Sequence, residues 1–454
     1  MSTLTFPRDF VWGAATASYQ LEGGATADGR GETIWDRFSH TPGAIRTGEV
    51  GDVACDHHGR YAQDVAMMAD LGHRGYRFSI AWSRLFPEGS GKMNAKGLGF
   101  YESLVDALLA KGIAPYVTLY HWDLPQALQD RGGWGDRDTV DRYADYAAAA
   151  FEALGDRVKH WMTHNEPWCT AYLGYGTGIH APGLKDFGLA VRATHHLLLS
   201  HAKAVERYRG MNLGGGIGIA LNLWPMYPAG DSPRDAEAVR TADGHYNRWF
   251  LDPVFKGSYP EDTLAQFRKE GVAPEILPGD LDLLAKGRPD FLGINYYMRH
   301  IVAHSDTARF GFESRTPAYA GVRFTEMGWE VFSQGLYDLL ARLDRDYGHP
   351  VLYVTENGIA CKDDRRTDGR VEDDDRIAYL RDHFAQAHRL IRDGVKLKGY
   401  FVWTLMDCFE WHDGFSMKFG LVHMDPTTLA RTPKKSALWF RDVIRADGFD
   451  AERG

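Results

Sequence analysis

The sequence predicts a (β/α)₈ barrel, a fold in which eight parallel strands alternate with helices around a closed sheet. Short apolar segments of strand length alternate with amphipathic helical patterns from one end of the chain to the other. Strands that alternate with helices form a parallel sheet, and about eight such units fit on this one chain. Polar or aromatic side chains stand at nearly every strand end, as on the catalytic face of a barrel.

The eight strand segments are short apolar runs. In chain order they cover residues 10–17, 76–81, 113–120, 158–163, 217–223, 291–296, 351–355 and 400–405. A doubly wound open sheet also alternates strands with helices and is the alternative architecture. Because no linker or low-complexity tract divides residues 1–454, we expect a single domain. Its length predicts long insertions in the loops that follow the strands.

Helical stripes lie between these strands, with apolar residues at three- and four-residue spacing. They occur in residues 96–111, 140–154, 336–343 and 377–384. Asp373, Asp374 and Asp375 precede the last stripe, at the helix end where acidic side chains are favoured by the helix dipole. The charged stretch 362–375 as a whole predicts a solvated loop or a helix start.

Composition excludes several classes of function. The net charge is −9 and the isoelectric point is about 6.1, which argues against nucleic acid as a partner. The chain has no run of about 18 apolar residues, so we expect no membrane span. Four scattered cysteines favour a reducing compartment, and the first nine residues show no secretory signal pattern. Together these features predict a cytoplasmic protein that binds neither nucleic acid nor a membrane, and they leave its oligomeric state open.

Two sequence features resemble cofactor or metal sites but do not fit them. The glycine run at residues 214–218 precedes a strand, whereas a dinucleotide-binding glycine loop follows one. Cys55, His57 and His58 lack a second ligand pair at a familiar spacing. We therefore expect neither a metal nor a cofactor.

Two glutamates stand where chemistry is expected. Glu166 follows the fourth strand segment and Glu356 follows the seventh. A glutamate is costly in a buried strand, so a carboxylate at two equivalent strand ends indicates a catalytic pair. Paired carboxylates are the apparatus that breaks a glycosidic bond.

Other strand ends carry groups that suit a polar ligand, although each alone also has a structural explanation, such as an ion pair or a core ring. They are Gln20, Arg77, His121, Trp122, Asn165, Asn222, Asn295, Tyr297, Trp403, Glu410 and Trp411. Their common position on one predicted rim favours a binding site. The 13% aromatic content fits either a core rich in tyrosine and tryptophan or a sugar-binding cleft.

Several segments resemble glycoside hydrolase family 1, the β-glucosidase family, over essentially the whole chain. They are FVWGAATASYQ at 10–20, YRFSIAW at 76–82, YHWDLP at 120–125, NEP at 165–167, NYY at 295–297, TENG at 355–358 and FEW at 409–411. The chain departs from the family pattern at Ser83, Met298, Phe332-Ser333-Gln334 and Cys408. These departures remove no group that the chemistry needs, but Met298 and Cys408 bear on substrate preference.

The resemblance implies a retaining, exo-acting β-glucosidase that removes terminal non-reducing glucose from β-glucosides and cello-oligosaccharides, as in cellulose degradation. Glu356 would be the nucleophile, kept ionised by Arg77 and Tyr297, and Glu166 the acid/base. Asn165 would bind the sugar 2-hydroxyl. Activity on β-fucosides and β-galactosides is expected as a side reaction.

The resemblance also assigns the two halves of the binding site. The sugar ligands would be Gln20, His121, Trp122, Asn295, Trp403, Glu410 and Trp411, with Trp403 as the stacking floor. The aglycone side would be lined by Cys169, His180, Asn222 and Trp329.

Three alternatives stay open at this stage. A 6-phospho-β-glycosidase typically carries serine where this chain has Glu410, and a carboxylate there would repel a phosphate. A catalytically dead sugar-binding relative would lack a glutamate, whereas both are present. A transglycosylase would use the same covalent intermediate and is not distinguished by sequence.

Overall fold

The computed structural model describes residues 3–451, and eight parallel strands within it close into a barrel. The strands are β1 Val11–Ala15, β2 Gly75–Ser79, β3 Ala114–Tyr120, β4 His160–Asn165, β5 Gly216–Asn222, β6 Phe291–Asn295, β7 Val351–Asn357 and β8 Leu397–Trp403. Each strand pairs with the next along the chain, and β8 pairs with β1. The predicted fold class is confirmed. Residues 1–2 and 452–454 of the predicted domain lie outside the described part.

The main differences from the predicted strands lie at their ends. β7 extends to Asn357, so the prediction that Glu356 follows the strand is wrong: it lies inside the strand. A register shift interrupts the pairing between Val354 and Glu356 on both sides of β7. Such an irregularity redirects a side chain at the rim of a barrel, and buried partners described below satisfy the carboxylate.

Helices surround the barrel. The longer α-helices are Ile34–Ser39, His57–Asp70, Ala95–Ala110, Asp138–Leu154, Phe187–Met211, Pro233–Asp243, Trp249–Lys256, Glu261–Lys269, Asp280–Lys286, Gln334–Asp346, Asp374–Arg392 and Lys435–Ala446. Shorter helical turns are Ser18–Leu21, Ala27–Gly29, Trp82–Leu85, Gln126–Gln129, Gly133–Gly135 and Trp411–Asp413. Cys169–Thr177 and Gly244–Arg248 are π-helices. Each of the predicted helical stripes lies within or largely overlaps one of the longer helices.

Small sheets lie outside the barrel, and their strand pairs are antiparallel except for Met226–Pro228 with His300–His304, which is parallel. Met226–Pro228, His300–His304 and Phe312–Arg315 form one sheet; Arg366–Thr367 pairs with Arg370–Val371, Val422–Met424 with Arg431–Pro433, and Thr3–Thr5 with Gly448–Asp450. The charged stretch 362–375 therefore forms a hairpin and a helix start. Residues 364–370 are exposed, as expected of a solvated loop, whereas the side chains of Asp363 and Asp373 are buried in ion pairs with Arg376.

Aromatic rings fill the barrel near the amino ends of its strands. The ring centroids of Tyr116 and Phe401 lie 4.7 Å apart, and those of Phe291 and Tyr353 lie 5.3 Å apart. A Cβ at Gly218 would lie 2.5 Å from the Phe291 ring, so glycine makes room for that ring. The carboxyl ends of the strands are left free for a site. Within residues 3–451, no helix combines the length and apolar character that a bilayer span requires.

Candidate active site

A cavity of about 360 Å³ opens at the carboxyl ends of the barrel strands, and both glutamates line it. All but three of the site residues predicted from the sequence line it too. They are His121, Trp122, Glu166, Cys169, His180, Asn222, Asn295, Tyr297, Trp329, Glu356, Trp403, Glu410 and Trp411. The exceptions, Gln20, Arg77 and Asn165, are fully buried beside it.

Arg77 supports the site from β2. One guanidinium nitrogen donates to Glu356 Oε1 at 2.5 Å and the other donates to Asn165 Oδ1 at 2.6 Å. Its side chain has no exposed surface, so it acts in a low-dielectric environment where a charge–charge contact is strong. Arg77 therefore joins the end of β4 to the carboxylate of β7.

Glu356 has partners that favour its ionised form. Besides Arg77, the Tyr297 hydroxyl donates to Glu356 Oε2 at 2.8 Å. Burial raises the pKa of Glu356, while the contacts with Arg77 and Tyr297 oppose that rise. Donors thus reach both oxygens of this carboxylate.

Glu166 has weaker, uncharged partners. Asn295 Nδ2 donates to Glu166 Oε1 at 2.6 Å, and the Cys169 thiol donates to Oε2 at 3.0 Å. Burial, followed by the charge of Glu356, raises the pKa of Glu166 to about 7. Because Glu166 has no cation at hydrogen-bond distance, it takes up a proton more readily than Glu356.

Asn165 is the centre of a hydrogen-bond network. Its Oδ1 accepts from Arg77 and Asn295, and its Nδ2 lies 2.9 Å from His121 Nε2. Burial, then the charge of Arg77, lowers the pKa of His121 well below its usual value, so the neutral ring accepts from Nδ2. The amide has two hydrogens, which leaves one Nδ2 hydrogen for a ligand hydroxyl.

Three site residues have unusual backbone conformations. Trp122, Glu166 and Trp411 have positive φ angles of 78°, 47° and 47°. L-residues seldom adopt this region, and such conformations cluster at functional sites. The strain fixes the direction of a carboxylate and two rings at the rim.

The sugar side of the cavity combines rings with a carboxylate. The His121 ring stacks at 5.9 Å from both Trp403 and Trp411. Gln20 Nε2 donates to the Phe409 carbonyl at 2.7 Å and lies 3.4 Å from Glu410 Oε2, while Gln20 Oε1 has no hydrogen-bond partner within residues 3–451. Burial, then the charge of Glu356, raises the pKa of Glu410 to about 8.

The four predicted aglycone residues line the same cavity, and one of them, Cys169, contacts Glu166. Asn222 Nδ2 donates to Cys169 Sγ at 3.5 Å. The ring of Trp329 packs against Tyr297, at 5.2 Å between centroids. Burial lowers the pKa of His180 to about 3, so its imidazole is neutral. This side of the cavity is thus largely uncharged.

Sequence reasoning missed other residues that line the cavity. They are Trp168, Leu173, Ile179, Trp224, His300, Met327, His412, Asp413 and Phe419. Trp168 and Trp224 each stand two positions after a predicted site residue, a signal that could have found them. The rest come from the insertions, whose path over the rim has no sequence pattern. Among the described residues, no cluster of three or more histidine, cysteine or acidic side chains is arranged to hold a metal.

Comparisons with known proteins agree with this geometry. A model of glycosyl hydrolase family 1 matches residues 2–449. Beta-glucosidase A of Acetivibrio thermocellus is 49% identical over 99% of this chain and 100% of its own. The 6-phospho-beta-glucosidase GmuD of Bacillus subtilis is 38% identical over 98% of each chain. A Thermotoga maritima family 1 glycoside hydrolase complexed with a cyclophellitol analogue transition state mimic matches with a TM-score of 0.96, at 45% identity, covering 99% of this chain and 100% of its own.

Proposed function

The chain belongs to glycosyl hydrolase family 1, and from that premise we propose that it is a retaining β-glucosidase. It removes terminal non-reducing β-D-glucosyl residues from β-glucosides and cello-oligosaccharides. One observation carries the proposal: two buried carboxylates line one cavity, and only Glu356 is in contact with a cation. Such an asymmetric pair supplies the nucleophile and the acid of a retaining glycosidase.

In the first step, a carboxylate oxygen of Glu356 attacks the anomeric carbon and forms a glycosyl ester. The bond from that carbon to the aglycone oxygen breaks, and Glu166 transfers its proton to this oxygen. With a pKa of about 7, Glu166 holds a proton near neutral pH. The aglycone leaves as a neutral alcohol.

In the second step, water attacks the same carbon and releases Glu356 as a carboxylate. Esterification has removed the charge of Glu356, which is the second largest cause of the raised pKa of Glu166. The pKa of Glu166 therefore falls, and its carboxylate accepts the proton of the attacking water. Two inversions at one carbon return the β-anomer.

Recognition of the sugar is proposed to rest on Gln20 and Glu410, with Trp403 as the floor. The free Gln20 Oε1 accepts from one hydroxyl, and Glu410 binds neighbouring ones. A site built from such groups rejects sugars that leave them unpaired. β-Galactosides differ from glucosides in configuration at C4, and β-fucosides additionally lack the 6-hydroxyl, so both are expected as slower substrates.

The alternatives are less well supported. The relative from Bacillus subtilis is named a 6-phospho-beta-glucosidase, but within residues 3–451 the cavity of this chain is lined by Glu410 and by no lysine or arginine, so a phosphate would find no cation there to pair with. A catalytically dead protein would not retain both carboxylates with their partners. Transglycosylation shares the covalent intermediate, and product analysis with an acceptor alcohol separates it from hydrolysis.

We further propose a cytoplasmic role in the breakdown of cellulose fragments, carried out by a single catalytic domain. The cysteines Cys55, Cys169, Cys361 and Cys408 are all free thiols, as is usual in a reducing compartment. An exo-acting site that closes around one terminal sugar suits short soluble fragments.

The nucleophile is tested with Glu356→Ala. Loss of the attacking oxygen should lower kcat by about 10⁴-fold or more, and azide should restore turnover by attack from the vacated face, giving the α-glucosyl azide. Glu152→Ala, at an exposed helical position, is the control and should keep full activity. Nuclear magnetic resonance of the wild-type reaction should show the β-anomer first. An α-anomer as the first product contradicts the retaining mechanism.

The acid/base is tested with Glu166→Ala. Because an activated phenol leaves without a proton, the variant should lose far less activity on 2,4-dinitrophenyl β-glucoside than on cellobiose. The ratio of the two rates should rise by about 10²-fold or more relative to wild type. Steady-state rates on the two substrates measure this ratio. Equal losses on both substrates would remove Glu166 from the acid/base role.

A further inference from the structure

A second cavity, of about 220 Å³, lies beside the catalytic cavity and shares two residues with it. The shared residues are Trp168 and Leu173. Phe187, Tyr246, Phe310 and Phe312 contribute rings to its other walls. None of the residues predicted from the sequence as site residues lines this space, which we name the aromatic cavity.

We propose that the aromatic cavity binds the distal apolar part of the aglycone, an alkyl chain or a flat ring, while the glucosyl group occupies the catalytic cavity. This inference rests on the proposed function. It assigns the chain a preference for β-glucosides with long apolar aglycones.

The position of Glu166 gives the direction of the aglycone. The leaving oxygen must lie within hydrogen-bond distance of this carboxyl, whose Oε2 accepts from Cys169. Trp168 directly precedes Cys169 in the chain and lines both cavities. An aglycone that extends from the leaving oxygen on this side therefore meets Trp168 and Leu173 first.

Packed rings connect the two cavities. The Trp168 ring lies 5.0 Å from Trp224, which lines the catalytic cavity, and 5.7 Å from Tyr246, which lines the aromatic cavity. Trp224 and Tyr246 are themselves 5.5 Å apart. These three rings form a continuous apolar surface, along which a chain can lie without exposing its methylenes to water.

The chemistry of the walls favours an apolar ligand over a second sugar. His245 is neutral, because burial lowers its pKa to about 4, and its Nε2 lies 2.7 Å from Gln266. The Arg309 guanidinium covers the Phe187 ring at 4.4 Å and donates to Glu270. A second sugar would give up the hydrogen bonds between its hydroxyls and water and would find few partners here. An alkyl chain or an aryl ring has no such hydrogen bonds to lose.

The test uses a series of alkyl β-glucosides from methyl to octyl, each below its micelle concentration. Alcohols from butyl to octyl leave with nearly equal ease, so changes in kcat/KM report binding. We expect kcat/KM to rise by about threefold per methylene from butyl to octyl. Thr177 is exposed and lines the aromatic cavity, so Thr177→Trp should fill it and flatten this rise.

A second variant and two controls separate the outcomes. Phe312→Ala removes a wall and should lower the octyl-to-butyl ratio by about fivefold or more. Phe324→Ala deletes an exposed ring that lines neither cavity and should leave the ratio unchanged. With p-nitrophenyl β-glucoside, Thr177→Trp should retain wild-type kcat/KM within twofold, which reports a folded catalytic site.

Two results would overturn the inference. One is a wild-type series that is flat from butyl to octyl while p-nitrophenyl β-glucoside is hydrolysed; the proposed function would then stand alone. The other is an unchanged slope in both Thr177→Trp and Phe312→Ala. Absence of hydrolysis of every glucoside would instead refute the proposed function, and the inference would fall with it.

Discussion

Glu166 and Glu356 are the same residue type in one cavity, and their nearest neighbours give them different chemistry. Arg77 and Tyr297 donate to Glu356, whereas Asn295 and the Cys169 thiol donate to Glu166. Burial raises the pKa of both carboxyls, and the charge of Arg77 opposes the rise in both, but Arg77 hydrogen-bonds only to Glu356. A proton shared by this pair is therefore expected on Glu166, in keeping with its proposed role as the acid.

Cys169 is predicted to tune that proton. Its thiol donates to Glu166 Oε2 and lowers the pKa of Glu166 against the effect of burial. Cys169→Ala removes the donor, so the pKa of Glu166 should rise by about 0.5–1 unit. Since Glu166 must be protonated to act as the acid, kcat/KM is lost as pH rises through this pKa. The basic limb of the pH profile should therefore move to higher pH.

Cys169→Ser is the matched control for this prediction. Serine keeps a donor at nearly the same place, so the basic limb should stay within about 0.3 pH unit of wild type. If alanine and serine shift the limb equally, the thiol acts through packing and not through its hydrogen bond. An unshifted alanine profile would contradict the role outright.

At the scale of elements, the end of β7 and the end of β8 approach too closely for a side chain. Gly358 follows β7, and a Cβ built on it would lie 1.8 Å from the carbonyl oxygen of Trp403, the last residue of β8. The ends of β7 and β8, which carry Glu356 and Trp403, can therefore approach this closely only because residue 358 is a glycine.

Gly358→Ala is expected to destabilise the protein by more than about 3 kcal/mol and to abolish activity, because backbone atoms of β8 must move. Thermal unfolding and kcat/KM measure the two effects. Gly99→Ala is the control, since a Cβ there meets nothing within 4 Å and the position lies inside the helix Ala95–Ala110. It should raise stability by up to about 1 kcal/mol. A Gly358→Ala protein with wild-type stability would refute the close approach.

At the scale of the whole molecule, periodicity was sufficient to predict the barrel, because each strand and helix buries its own apolar face. The positions of Glu166 and Glu356 at the rim followed from strand order. The position of Glu356 inside β7 could not be predicted, because the partners that satisfy its buried carboxylate, Arg77 and Tyr297, are distant in sequence. The insertions could not be predicted either, because Met327 and Phe419 line the cavity through loop paths that no sequence pattern encodes.

A buried ion cluster joins the two insertions that shape the site. Lys434 has no exposed side-chain surface; its ammonium group donates to Asp407 at 2.7 Å and also to Asp363. Asp363 belongs to the insertion after β7, and Asp407 stands three residues before Glu410 in the insertion after β8. Lys434 thus connects the loop that follows Glu356 with the loop that carries Glu410.

Lys434→Met should leave Asp363 and Asp407 buried without this cation, which costs about 3–5 kcal/mol of unfolding free energy. Because Glu410 then loses a fixed support, KM should rise more than kcat falls. Lys435→Met is the neighbouring control: Lys435 is 44% exposed and pairs with Asp374 on the surface, so its loss should cost at most about 1 kcal/mol. Denaturant unfolding and steady-state kinetics of both variants measure the difference. Equal stability of the two would mean that the buried cluster does not hold the loops together.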